Sequence, residues 1–278
     1  MGYKSYDNDT LKKLRKVEME ILDEIVRICK ENDIEYFLTG GTLLGAVRHK
    51  GYIPWDDDID IGMLRKDYDK FINVCKTALD KKYFLDCFET NKEYYLPYAK
   101  IKKNNTLFDE ELTHHLSNHK GIYVDIIPFE NERKSESITQ DIQAVLVKNI
   151  IETMFVKKKI KTIKQIRHPF IVRCLKIFSC KFLMGLQKKI MTMCKDDNTL
   201  YVCPICGSYS YKKETMKRDI FVPTKEIEFE NKVYSGMNNP DAYLSRVFGN
   251  YMELQPLEKR VNHTPLSISF DISNGGVE

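Results

Sequence analysis

One stretch, residues 38–71, is the most informative part of this chain: LTGGTLLGAVRHKGYIPWDDDIDIGMLRKDYDKF. Within it, a Gly-Gly turn and a basic segment precede four aspartates, namely Asp56, Asp57, Asp58 and Asp60. Carboxylates at such close spacing repel one another unless a cation neutralises them. The cluster therefore predicts a divalent metal ion.

The last of these aspartates alternate with apolar residues, which predicts a half-buried strand over residues 58–62. Side chains two positions apart on a strand point to the same face, so Asp58 and Asp60 are expected to project side by side. Ile59 and Ile61 would then enter the core. Carboxylate oxygens are the ligands that Mg²⁺ and Mn²⁺ prefer, so the pair predicts half of a site for one of these ions.

A third acid is expected from Asp125, which lies in the segment Gly-Ile-Tyr-Val-Asp-Ile-Ile-Pro at residues 121–128. This segment is again a short apolar run that carries one acid. A capping or turn role is the alternative, but the flanking β-branched residues favour a strand. If the two strands are neighbours, Asp125 completes the metal site.

The Gly-Gly pair, Gly40 and Gly41, follows a predicted strand and precedes a helix that is expected to start near Thr42. Backbone N–H groups at such a helix start can approach a phosphate without interference from Cβ atoms, and the helix dipole favours negative charge there. Arg48 has the planar donor fork that suits phosphate oxygens. The segment therefore predicts a phosphate-binding site beside the aspartates.

The pattern of the remaining chain predicts an α+β fold with a mixed α/β sheet. A first amphipathic helix should begin with Asp9 or Thr10 as N-cap and end near Lys30. Apolar runs predict strands over residues 34–38, 83–89, 98–102 and 122–127, a helix over 66–79 and mainly helical structure over 135–194. The predicted units are a catalytic core (1–134), a basic helical segment (135–200) and a C-terminal part of the catalytic domain (201–278).

The composition indicates a folded enzyme-sized chain of 278 residues, with 42% apolar and 30% charged residues. The pattern shows neither a secretion signal nor an apolar run long enough to span a bilayer, so we expect a cytoplasmic location. The eight cysteines then favour reduced thiols over disulfides. Cys203 and Cys206 form a Cys-Pro-Ile-Cys pair, which indicates either two core thiols beside a turn or, less readily, half of a zinc site.

The charge distribution is uneven. Residues 148–195 contain 13 Lys/Arg and one acid, so this segment carries +12 and the rest of the chain −8. An anionic membrane surface, a polyanionic substrate or a nucleic acid could each bind there, and a solvated helical face explains the pattern equally well. Because the segment has no recognisable motif for reading bases, dedicated nucleic-acid binding is not expected.

The sequence FLTGGTLLGAVRHKGYIPWDDDIDIGM resembles the signature of the LicD family, a branch of the nucleotidyltransferase-fold superfamily that includes the fukutin-related transferases. Three later segments resemble further family blocks in the same order, namely YAKIKKNNT, GIYVDIIPFE and FVPTKEIEFENKVYSGMNNPDAYLSRVFGNYMELQP. The resemblance covers most of residues 10–262. It implies a nucleotidyltransferase-like fold with a helical extension.

The resemblance also implies roles for single residues. Asp58, Asp60 and Asp125 would be the catalytic metal carboxylates, with Asp56 as a fourth ligand. The nucleotide would be bound by the remaining candidates: Gly40, Gly41, Thr42, Arg48 and Trp55.

The activity implied by the resemblance is the transfer of phosphocholine, or a related phospho-alcohol, from a CDP-activated donor such as CDP-choline. The acceptor would be a hydroxyl of a glycan or glycolipid, in teichoic acid, lipopolysaccharide or a capsule precursor, and CMP would be released. A nucleotidyltransferase that moves NMP from an NTP to a sugar or small molecule is the alternative. A non-catalytic protein is a third hypothesis, but the complete carboxylate set argues against it. We also expect the basic segment to contact the anionic inner face of the membrane peripherally.

Overall fold

A mixed sheet of seven strands forms the centre of the structure, a computed structural model that describes residues 6–133, 138–207, 209–260 and 262–272. In chain order the strands of the molecule are β1 (Phe37–Leu38), β2 (Asp60–Leu64), β3 (Tyr83–Asp86), β4 (Ala99–Lys103), β5 (Leu107–Asp109), β6 (Tyr123–Glu132), β7 (Tyr201–Cys203), β8 (Met216–Lys217), β9 (Lys225–Phe229), β10 (Lys232–Gly236) and β11 (Ser267–Ser269). The sheet has the order β1-β2-β6-β4-β3, and β7 joins β6 to β8. Two further antiparallel ribbons pair β9 with β10 and β5 with β11.

Eight α-helices accompany these strands in the described part of the chain. They are α1 (Asn8–Glu31), α2 (Gly40–His49), α3 (Arg65–Ala78), α4 (Ile138–Lys157), α5 (Pro169–Leu175), α6 (Cys180–Met191), α7 (Tyr211–Glu214) and α8 (Pro240–Phe248). Apolar side chains of α1 and α3 pack with those of the central sheet in the main core. The predicted α+β class with a mixed sheet and a helical extension is confirmed, and the architecture is consistent with a nucleotidyltransferase-like fold.

The first helix starts earlier than predicted. Asp7, rather than Asp9 or Thr10, is the N-cap, and its side chain accepts a hydrogen bond from the Thr10 N–H at 2.8 Å. This satisfies one of the donors that the first turn of a helix leaves unpaired. The apolar stripe of α1 then faces the core, with Leu14 and Ile21 fully buried.

Three strands differ in length from their predictions. β1 covers only Phe37–Leu38 rather than residues 34–38, because the Ile34 and Glu35 N–H groups bond to the Cys29 carbonyl and the Asp67 carboxylate instead of to a strand. β3 ends at Asp86 rather than near residue 89, because the Cys87 N–H bonds to Thr90 Oγ1 at 3.2 Å and the chain turns there. β6 continues beyond residue 127 to Glu132, because its second half pairs with β7. That pairing depends on residues about 70 positions away, which a local pattern does not reveal.

The predicted helical region over residues 135–194 contains three α-helices and a short 3-10 helix (Ile163–Gln165), and its first residues lie outside the described part of the chain. Buried side chains of α4 and α6 pack with Tyr95, which connects this helical extension to the chain before β4. Among the helices that the structure describes, none combines the length and hydropathy needed to cross a bilayer.

The eight cysteines all lie in described residues and are free thiols. Cys203 is fully buried, and its Sγ lies 3.7 Å from the carbonyl oxygen of Tyr211. Within the described ranges, neither Cys203 nor Cys206 belongs to a group of three or more side chains that could hold a metal ion. The structure therefore favours two core thiols over half of a zinc site.

Candidate active site

The register of three strands brings the central charged residues of the site together. In the parallel β2–β6 pair Asp60 lies opposite Asp125, and in the antiparallel β4–β6 pair Lys100 lies opposite Asp125. Directly paired residues project to the same face of a sheet. The Lys100 Nζ lies 2.7 Å from Asp125 Oδ1 and 3.4 Å from the centre of the Tyr123 ring. The predicted neighbourhood of the two aspartate strands is therefore present.

Asp58 does not belong to a strand, contrary to the prediction. β2 begins at Asp60, because the Asp60 N–H donates to Thr42 Oγ1 at 2.8 Å instead of to a neighbouring strand. Asp58 lies in the loop before β2, although Ile59 and Ile61 are buried as predicted. We call residues 50–59 the aspartate loop. It supplies Asp56, Asp57 and Asp58, whereas Asp60 and Asp125 come from the sheet.

The carboxylates of the site interact strongly. Burial raises the pKa of Asp60 well above its usual range, and the charges of Asp58, Asp125 and Asp56 raise it further. The pKa of Asp56 is also raised well above its usual range, first by burial and then by Asp58 and Asp57. Burial likewise raises the pKa of Asp58. Half-buried like charges of this kind hold protons unless a cation is present. The metal-binding role of Asp56, Asp58, Asp60 and Asp125 stays a prediction.

The start of α2 lies directly against these carboxylates. Gly40 has a positive φ of 55°, and a Cβ atom there would lie 3.1 Å from Asp60 Oδ2. At Gly41 a Cβ atom would lie 2.8 Å from Asp56 Oδ2, which is too close. Gly40 is thus favoured by its positive φ, and both glycines leave room for the aspartate side chains. Binding of a phosphate at this helix start stays a prediction.

The other predicted nucleotide residues lie in different surroundings. Thr42 is buried and holds the start of β2 through its hydroxyl oxygen. Arg48 is near the opposite end of α2, roughly 12 Å along the helix from Gly40 at 1.5 Å per residue. Its Nη1 donates to the carbonyl oxygens of residues 251 and 253 at 2.6 and 3.0 Å. Trp55 is buried, with the Arg260 guanidinium 3.9 Å from its ring centre. The structure does not bring Arg48 together with the glycines.

Asp57 is held more firmly than its neighbours. It is almost completely buried, and it accepts hydrogen bonds from the Tyr6 hydroxyl at 2.7 Å and from the His263 N–H at 2.8 Å. The His263 Nδ1 lies 3.4 Å from Asp57 and 3.6 Å from Asp58. The hydrogen bond to Asp57 and the nearby charge of Asp58 raise the pKa of His263 to about 10. Asp57 therefore joins both ends of the described chain to the aspartate loop.

Among the described residues, the group of three side chains whose ligand atoms lie close enough to hold a metal ion is Asp57, Asp58 and His263. One ligand atom from each lies within 4.8 Å of the other two. Because Asp57 already accepts from Tyr6 and from the His263 backbone, its position is fixed within this group. The metal candidates thus include one histidine that the sequence pattern did not indicate.

Arg15 of α1 is a second residue that the sequence pattern missed. Its Nη2 donates to the carbonyl oxygens of Ile53, Pro54 and Asp56, at 2.9, 3.1 and 2.8 Å. Its guanidinium lies 4.6 Å from the centre of the Tyr52 ring. A helix pattern marks Arg15 only as a polar position, so no local signal could have identified this contact.

The chain is similar to several known proteins. Residues 33–166 match the family described as LicD/FKTN/FKRP, nucleotidyltransferase domain. Over 261 residues the chain is 28% identical to the lipopolysaccharide cholinephosphotransferase LicD of Haemophilus influenzae, covering 91% of this chain and 96% of that protein. Over 43 residues it is 44% identical to the human ribitol 5-phosphate transferase FKRP, covering 16% and 9% of the two chains. The resemblance that the sequence motifs indicated is confirmed.

Proposed function

We propose that this protein, which resembles transferases of the LicD family, moves phosphocholine from CDP-choline to a hydroxyl of a cell-surface glycan or glycolipid and releases CMP. The observation that carries this proposal is the β2–β6 register, which sets Asp60 beside Asp125 and against the glycine start of α2. Phosphoryl transfer depends mainly on positioning and on stabilisation of charge. A cluster of oxygen ligands beside a helix N-terminus supports that chemistry.

The proposed metal ligands are Asp56, Asp58, Asp60 and Asp125. The raised pKa values of Asp56, Asp58 and Asp60 support this set, because a cation relieves the repulsion that burial makes costly. A bound Mg²⁺ or Mn²⁺ would neutralise phosphate charge and stabilise the leaving group. Among the other residues of the site, Gly40 and Gly41 would present backbone N–H groups to the donor.

In the proposed reaction the oxygen of the acceptor hydroxyl bonds to the phosphorus that carries choline. The bond between that phosphorus and CMP breaks, and CMP leaves with the electron pair. Asp125 accepts the proton of the attacking hydroxyl. The ammonium group of Lys100 would orient the Asp125 carboxylate through the ion pair at 2.7 Å.

The donor and acceptor are inferred from the relative in Haemophilus influenzae, whose name specifies choline phosphate and lipopolysaccharide. Teichoic acid or a capsule precursor would offer the same kind of hydroxyl. The ribitol 5-phosphate transferase match supports a phospho-alcohol other than choline phosphate as a variant of the transferred group. We further propose that the enzyme acts at the inner face of the cytoplasmic membrane, where glycolipid acceptors of this kind would be available.

A second candidate is transfer of NMP from an NTP to a sugar or small molecule. The description of the matching domain as a nucleotidyltransferase domain favours this alternative. The same carboxylates would serve it, but pyrophosphate would be released in place of CMP.

One experiment separates the two reactions. The purified protein is incubated with Mg²⁺ and a panel of CDP-alcohols and NTPs, and the released nucleotide is identified. CMP from CDP-choline supports the proposal, whereas pyrophosphate from an NTP supports the alternative. The variants Asp60→Asn and Asp219→Asn provide the test and its control, because Asp219 is an exposed aspartate outside the site. Release of neither product, or equal activity in both variants, would contradict the assigned site.

A further inference from the structure

The helical extension exposes an unusual set of apolar side chains around α5. Phe170 and Ile177 are 75% and 80% exposed, whereas Val172 between them is fully buried. Phe170 lies in the first turn of α5, and Ile177 lies in the turn that follows the helix. The outer face of α5 and the turn that follows it therefore present large apolar groups to solvent, while the inner face packs against the protein.

The turn into α6 continues this surface. Phe178 and Phe182 are 40% and 51% exposed, and their rings stack with centroids 4.9 Å apart. Ser179 caps α6 by accepting the Phe182 N–H at 3.2 Å, which fixes the direction of the turn. We call residues 169–182 the α5–α6 corner. Its four exposed apolar side chains come from only 13 consecutive positions, whereas scattered single apolar residues are common on surfaces.

Cations, and no acids, flank these apolar groups along the chain. Arg173, Lys176 and Lys181 are exposed within the corner, and Arg167 precedes it. No Asp or Glu occurs between residues 153 and 195. Among the ion pairs of the described residues, none involves these four cations. Their positive charge is thus available to an external partner.

We infer that the α5–α6 corner docks on the surface of an anionic lipid bilayer. Exposed aromatic and aliphatic groups flanked by Lys and Arg are what such a surface binds, because the apolar groups enter the headgroup boundary and the cations attract anionic lipids. A nucleic acid or soluble polyanion would use the cations but leave the apolar groups in water. The proposal concerns the extension alone and is independent of which donor or acceptor the active site uses.

The test is flotation of the full-length protein with lipid vesicles. One set contains phosphatidylcholine only, and the other contains phosphatidylcholine mixed with phosphatidylglycerol. The apolar corner variant carries Phe170→Ser, Ile177→Ser and Phe178→Ser. Its matched control carries Val233→Ser, Leu254→Ser and Leu257→Ser, at positions that are 59%, 57% and 65% exposed elsewhere in the molecule.

A second pair of variants tests the charges. The charge variant carries Arg173→Gln, Lys176→Gln and Lys181→Gln, and its control removes the same charge at other exposed positions through Lys30→Gln, Lys66→Gln and Lys76→Gln. Circular dichroism and thermal unfolding check that every variant is folded, so that loss of binding is not loss of structure.

The wild type should float with the anionic vesicles, and added salt should weaken the binding. Both corner variants should bind at least about tenfold more weakly than their controls. The proposal is overturned if the wild type does not bind vesicles, if it binds neutral and anionic vesicles equally, or if folded corner variants match their controls. Salt-sensitive binding to heparin without vesicle binding would also overturn it and assign the corner to a soluble polyanion.

Discussion

The aspartate loop and the α5–α6 corner each concentrate charge of one sign, but they hold it differently. In the loop, Asp57 is buried and has specific hydrogen-bond donors, and the pKa values of Asp56 and Asp58 are raised by burial. At the corner, the cations are exposed and form no ion pairs among the described residues. Buried like charges cost folding free energy, whereas exposed ones cost little. The aspartate loop destabilises the fold unless a ligand compensates, which indicates a chemical role. The exposed cations of the α5–α6 corner need no such compensation, so their role has to be tested with an external partner.

The largest effect is expected from Asp60→Asn. This change removes one carboxylate from the repelling group, so transfer should fall by roughly 10³-fold or more while the metal-free protein becomes equally or more stable. Turnover assays and thermal unfolding in the presence of EDTA measure the two effects. Loss of activity together with clear destabilisation would mean that Asp60 is mainly structural, which would remove the contrast between the loop and the corner.

Asp57→Ala should have the next largest effect. It leaves the His263 N–H and the Tyr6 hydroxyl without their buried acceptor, so we expect a destabilisation of about 2–4 kcal/mol and roughly 10–100-fold slower transfer. Asp57→Asn retains an acceptor oxygen and should restore part of both. Urea unfolding and kcat measure the outcome. If the Asp57→Asn variant had normal stability but were as inactive as Asp60→Asn, Asp57 would instead be identified as a metal ligand.

Arg15→Lys should slow transfer by about tenfold, because a lysine cannot donate to the carbonyl oxygens of Ile53, Pro54 and Asp56 together. Since Arg15 acts through the loop, the concentration of Mg²⁺ needed for half-maximal activity should rise more than KM for the donor. Lys12→Gln is the control, because Lys12 is exposed on the same helix. An unchanged metal requirement would show that the loop keeps its geometry without this contact.

The sequence predicted those parts of the site that depend on local pattern. Asp60 and Asp125 could be identified because each lies in a short apolar run, and the carboxylate cluster itself indicated a cation. Tyr6, Arg15 and His263 could not be identified, because they contact the loop from 51, 41 and 206 positions away. Contacts over such separations depend on how helices and loops pack, which periodicity does not encode.

The same limit explains the residues whose predicted surroundings differed. Arg48 was expected near phosphate because it lies between the glycines and the aspartates in sequence. Arg48 and the glycines lie at opposite ends of α2, and the Arg48 guanidinium donates to the carbonyl oxygen of residue 251. Asp58 was expected on a strand because the alternating pattern begins there, but the hydroxyl of Thr42 sets the start of β2 two residues later. Side-chain hydrogen bonds across the fold therefore decide boundaries that composition only approximates.

The smallest effect on transfer is expected from Glu214→Gln, a change at a buried acid outside the candidate site. Glu214 is 4% exposed, and burial raises its pKa to about 7. A carboxyl whose pKa is higher in the folded than in the unfolded state favours folding below its unfolded pKa of about 4.5, and this contribution is lost as the pH rises through 7. The variant should therefore match the wild type near pH 4.5 and exceed it in stability by on the order of 1 kcal/mol above pH 8, with unchanged transfer. Urea unfolding across this range measures the difference. If removing this buried acid also abolished transfer, burial of an acid would no longer distinguish the aspartate loop as the site of chemistry.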